Sequence, residues 1–151
     1  MFRQLAGAVA LWIAVAGGAR AEGISWRPVA YPDLIAGSDL IVVGKIATMA
    51  ETAHDDGWTT CATMQVAEVL KGQVPADGVK LDFPSRHPEA YNGSEVVPAP
   101  AEVTFEKDQE GIWFLKVDPA DGHFTAAHPA RFKPMPFLKR IKDEIAKVGV
   151  H

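Results

Sequence analysis

The sequence predicts a mainly β protein: a small barrel of five or six antiparallel strands, with a short helix before it and an amphipathic helix after it. Three observations carry this. Short runs of alternating apolar and polar residues recur, as over residues 58–66 and 79–83. Asp-Gly turn signals stand at Asp56-Gly57, Asp77-Gly78 and Asp121-Gly122. Helical character is confined to the two ends. Closely spaced hairpins favour closure, because closing a sheet removes its exposed edges.

The first 21 residues have the pattern of a secretory signal peptide. Arg3 supplies the positive start, and residues 5–16 are an uncharged apolar run. Ala19-Arg20-Ala21 is a small-x-small cleavage site. The run is well short of the ~20 residues that cross a bilayer. Cleavage would start the mature chain at Glu22 and leave residues 22–151 as one domain. Without Arg3 and Arg20, 13 of the 15 basic residues remain against 19 acidic ones. A mildly acidic chain without basic clusters argues against nucleic acid and anionic membranes as partners. Its single cysteine cannot form an internal disulfide.

Within the domain, residues 31–38 predict a short helix, with Pro32 in its first turn and Gly37 at its end. Residues 40–47, LIVVGKIA, are β-branched and too short for a buried helix, so they predict a central strand. Gly44 inside it is expected at a bend or at a close approach of another backbone. The Asp55-Asp56-Gly57 turn leads into a return strand. Trp58, Thr60, Ala62, Met64 and Val66 share one face of it, and Thr59, Cys61, Thr63 and Gln65 the other. The alternation slips after Val66, which predicts a bulge or the end of pairing. Val79, Leu81 and Phe83 mark a half-buried strand. Residues 84–100 form a proline-rich loop without period. Val103 and Phe105 predict another strand, residues 112–117 a further one, and residues 123–127 the last. Pro136 opens a C-terminal helix over residues 136–148, ended by Gly149. Its stripe of Phe137, Leu138, Ile141, Ile145 and Val148 is expected to dock on the barrel and plug an open end.

The segments SDLIVVGKI (residues 38–46), QVAEVLKG (65–72) and GIWFL (111–115) carry a family pattern. With them the chain resembles the netrin-module barrels, the OB-type domains found in tissue inhibitors of metalloproteinases and in many bacterial exported proteins. The resemblance implies an OB-like five- or six-stranded barrel outside the cytoplasm. The inhibitors chelate a protease zinc through a mature N-terminal cysteine. Here the mature chain would begin with Glu22 and Cys61 stands alone, so that chemistry has no residue to rest on.

Candidate chemistry is sparse. Cys61 lies mid-strand between threonines, with no helix N-terminus to lower its pKa, so it is expected to be a bystander and Cys61→Ser nearly silent. The histidines His54, His87, His123, His128 and His151 show no metal-ligand spacing, and no nucleotide-binding or nucleophile motif occurs. Trp58 and Trp113 are expected in the core. No catalytic residue, cofactor or metal site is expected. The most site-like segment is the proline-stiffened loop bearing Arg86, His87 and Tyr91, residue types favoured in recognition. Asn92-Gly93-Ser94 is a glycosylation sequon, meaningful only on a eukaryotic secretory route. The expectation is a non-catalytic binding or structural module, periplasmic or secreted, with any partner among exported proteins. Two alternatives stand beside it: an inhibitor-like partner of an extracellular enzyme, and metal handling through histidines with Met49, Met64 or Met135.

Overall fold

A computed structural model describes residues 27–55, 57–85 and 103–149. The expected signal peptide, the Glu22 start, the loop residues Arg86, His87 and Tyr91, the sequon and His151 lie outside the described residues. The elements are α1 (Tyr31–Ala36), β1 (Leu40–His54), β2 (Gly57–Lys71), β3 (Val79–Pro84), β4 (Glu110–Val117), β5 (Phe124–Thr125), β6 (Phe132–Lys133) and α2 (Leu138–Val148). Five strands close a barrel in the order β1-β2-β3-β5-β4, with β4 returning to β1 and β6 added along β4. The fold is the OB-like barrel the sequence predicts. One pairing departs from the antiparallel expectation: β3 and β5 run parallel, Leu81 beside Phe124. Among the described residues, no helix is long and apolar enough to cross a membrane.

The long β1–β2 hairpin forms the frame. Its register shifts opposite Leu70 and Ala67, where the sequence alternation slips, and again at Ala47. Such bulges tighten strand twist and help a narrow barrel close. The apolar run of β1 is continuous because both of its faces are covered. Leu40, Val42 and Ile46 point inward with Ala62, Met64, Val79, Leu81, Trp113 and Leu115. Ile41 and Val43 point outward and, with Ile112 and Phe114, lie under Leu34, Ile35, Ile141 and Ile145 of the two helices.

α2 therefore covers the outer wall of β1 and β4 and does not plug the barrel. The apolar stripe demands a dry partner, and the outward-facing Ile41, Val43, Ile112 and Phe114 supply it in place of a barrel end. Ile141 and Ile145 carry the docking; Phe137 and Val148, at the ends of the stripe, stay 40 % and 39 % exposed. A 3-10 turn, Met135–Phe137, precedes the helix, and Gly149 ends it in the left-handed region at φ 70°.

Two further expectations are corrected. Val103 to Glu106 form no strand, yet Phe105 is buried. Its ring meets Phe83 at 5.3 Å and Trp113 at 4.9 Å, both edge-on, so aromatic packing rather than backbone pairing anchors it. The strand expected over residues 123–127 is reduced to β5, Phe124–Thr125, and an unpredicted strand, β6, continues the pairing along β4. β5 and β6 both pair with β4, but six residues of one side, 126–131, face Phe114 and Leu115. Pro129 sits in this excursion and has no N–H to give a ladder. Arg131 fills the gap, donating to Phe114 O at 3.2 Å, to Ser38 Oγ at 3.1 Å and to Gly37 O at 3.4 Å. Lys71 donates to Ile35 O at 2.8 Å and to Ser38 O at 2.6 Å. Two cations thus hold the carbonyl end of α1 against the barrel, where the helix dipole favours them.

Candidate functional site

The outer face of β2 and β3 carries the one His/Cys/carboxylate cluster found among the described residues: Cys61, Asp82 and His123. Register places the first two. Cys61 on β2 pairs directly with Asp82 on β3, and both point away from the barrel because Ala62, Leu81 and Phe83 point in. Cys61 therefore lies on the predicted Thr59/Thr63 face, half-buried.

His123 arrives from the turn between β4 and β5. That turn is tied at several points. Asp118 N–H donates to His123 O at 2.7 Å, and Gly122 N–H donates to Asp118 O at 2.9 Å. The Asp118 side chain accepts from Ala120 N–H and the Asp121 side chain from His123 N–H, each at 2.9 Å. Gly122 takes φ 73°, which a side chain would disfavour. The parallel β3–β5 pairing then brings the imidazole onto Asp82, with Nδ1 2.7 Å from Oδ2. Asp121 Oδ2 stands 3.7 Å from the same nitrogen.

Asp82 Oδ1 is buried and has no hydrogen-bond partner of good geometry. The Cys61 thiol is the proton placed beside that carboxylate. Burial pushes the thiol pKa up; hydrogen bonding to Asp82 and its negative charge push it further, while Lys80 pulls it down. A nucleophilic cysteine needs the opposite, a neighbouring cation or an imidazole between thiol and carboxylate. Here the carboxylate stands beside both partners. The arrangement suits hydrogen bonding and metal ligation, for which sulfur, nitrogen and oxygen donors converge.

Two clefts flank the cluster. One, of about 360 Å³, is lined by Lys80, Val117, Asp121, His123 and Phe124 among others. The other, of about 200 Å³, is largely apolar and lies against Asp82, Phe83, Val103 and Ala126. The remaining sequence candidates do not join the cluster. His54 ends β1 in an exposed position. His128 accepts from Ala130 N–H at 3.0 Å and caps the 3-10 turn, Pro129–Arg131, inside the split strand. Met64 points into the barrel, away from Cys61, and Met49 packs against the same core. Trp113 is buried, donating to Gly44 O at 2.9 Å, as expected of a core tryptophan, whereas Trp58, expected in the core with it, is only half-buried near the tip of the β1–β2 hairpin.

The sequence places His123 at the start of the last strand, with no ligand spacing to the other histidines. The inward positions of Ala62 and Leu81 could have put Cys61 and Asp82 on one face. Nothing in local spacing places a residue 41 positions after Asp82 beside it. No family model and no curated protein matches the chain. The fold and the cluster define it as an OB-type barrel with a polar constellation on its β2–β3 face.

Proposed function

We propose that this protein is an exported, non-catalytic binding module whose ligand face is the outer side of β2 and β3 together with the β4–β5 turn. The observation that carries the reading is the Asp82–His123 contact at 2.7 Å, which joins the strands to the turn beside an open cleft. OB-type barrels bind ligands through strands two and three and the loops at 1–2 and 4–5. Cys61, Lys80, Asp82 and His123 occupy that region. The raised thiol supports binding over nucleophilic chemistry. Export, to a periplasm or outside the cell, rests on the apolar run and on Ala19-Arg20-Ala21.

The test uses a photo-crosslinking residue in place of Lys80, whose side chain is 40 % exposed, and a control in place of Lys147 on α2, 70 % exposed. Crosslinks are collected from the exported fraction of the producing cells. Adducts from position 80 and not from 147, on a chain beginning at Glu22, are expected. Adducts from 147 alone, or an intact Met1, would overturn the reading.

A further inference from the structure

We propose that Cys61, Asp82 and His123 form a three-ligand site for a transition-metal ion of zinc type, with its fourth position open to solvent. This deepens the binding reading, and rests on it, by naming the ion that the β2–β3 face takes. The donor atoms, a thiol sulfur, an imidazole nitrogen and a carboxylate oxygen, all lie within 4.8 Å of one another. Bonds of about 2.0–2.3 Å in a tetrahedral site separate ligand atoms by roughly 3.5 Å. Side-chain rotations that open the 2.7 Å Nδ1–Oδ2 contact and draw in the thiol would bring the three onto one ion.

The positions are held in advance. Cys61 and Asp82 are cross-strand partners. His123 is fixed by its turn and by Asp82. Three rigid elements, the strands β2 and β3 and the tied turn, thus aim borderline-soft donors at one point, a set that selects zinc over calcium or magnesium.

A second observation points the same way. Asp82 Oδ1 is shielded from solvent and lacks a partner of good geometry. The Cys61 thiol is the donor facing this carboxylate, and a cation that displaces the thiol proton would engage the same oxygen. Asp121 Oδ2, 3.7 Å from the same imidazole nitrogen, adds negative charge at the rim that favours a cation. The side chains of His123 and Asp82 are 27 % and 24 % exposed, which puts the cluster at the barrel surface and not in its core.

The experiment titrates untagged, metal-free protein with cobalt(II), a spectroscopic stand-in, and then with zinc in competition with a chromogenic chelator. Expected are a sulfur-to-cobalt charge-transfer band that saturates at one ion per chain, displacement of cobalt by zinc, and a zinc-dependent rise in Tm. C61S should abolish the band, and both C61S and H123Q should weaken zinc binding at least tenfold. Melting of the metal-free variants checks their folding. If C61S is unfolded, H123Q, which leaves both strands intact, carries the comparison. Absence of the band at saturating cobalt, or zinc affinity equal to wild type in folded H123Q, overturns the site. Crosslinking from position 80 is read in metal-free protein. Crosslinks without zinc binding therefore refute the metal site alone, and zinc binding without crosslinks refutes the partner reading alone.

Discussion

A methyl group on Gly44 would stand 2.7 Å from the Gln65 carbonyl oxygen and 3.3 Å from the Met64 side chain. The oxygen belongs to a paired strand and cannot swing aside. The Gly44 carbonyl meanwhile receives the buried Trp113 N–H. Gly44→Ala should therefore destabilise the fold by ~1–3 kcal/mol through overpacking, measured as a lower urea midpoint with an unchanged m-value. At Cys61 the physics is electrostatic. A thiol raised by burial and by Asp82 is protonated at neutral pH. In metal-free protein at pH 8, Cys61 should be alkylated severalfold more slowly than in the urea-unfolded chain. Its rate should keep rising with pH beyond the ordinary thiol range, where only Lys80 of the facing groups opposes the shift. A rate in the folded protein equal to or above that of the unfolded chain would show an activated thiol instead.

At the scale of elements, α2 adheres to the barrel through few residues. Ile141 is fully buried among Ile35, Ile41 and Phe114, and Ile145 nearly so. A helix of 11 residues has little stability of its own in water. Ile141→Ala should cost ~2–5 kcal/mol from lost transfer energy and the cavity left behind, read by denaturant unfolding. Ending the chain after Lys133 should expose the outer faces of Ile41, Val43, Ile112 and Phe114 and lower Tm strongly. An unchanged melt would mean that the helix belongs to a partner. The split in the last strand makes a separate demand on Arg131, whose fork reaches Phe114 O, Ser38 Oγ and Gly37 O at once. Arg131→Lys keeps the charge but not the geometry. It should lower the melting temperature almost as far as Arg131→Met does, where restored charge alone would have rescued it.

Over the whole molecule, the two hydrophobic clusters are not independent. The inner one uses Leu40, Val42, Trp113 and Leu115; the outer one uses Ile41, Val43, Ile112 and Phe114 of the same two strands. Neither can melt without disordering the strands that define the other. Far-ultraviolet circular dichroism, which reports strands and helices, and tryptophan fluorescence, to which the buried Trp113 contributes, should trace one coincident unfolding transition. Separate midpoints would show that the helical layer peels off first.

What the sequence by itself determined is what short-range physics sets. Alternation placed Thr60, Ala62 and Met64 inside and Cys61 outside, because successive strand side chains point to opposite faces. The slip after Val66 marked the bulge, Gly44 the close backbone approach, and Gly149 the end of the last helix. Phe105 misled, because its alternation with Thr104 and Glu106 resembles a strand while its burial comes from ring contacts. Only the tertiary structure decided which outer face the C-terminal helix covers, that Pro129 divides the last strand, and that His123 meets Asp82 and Cys61. These depend on barrel closure, which pairs β3 with β5 in parallel and brings together residues far apart in the chain. Closure is a global condition on strand number, tilt and register. No local period of the sequence encodes it.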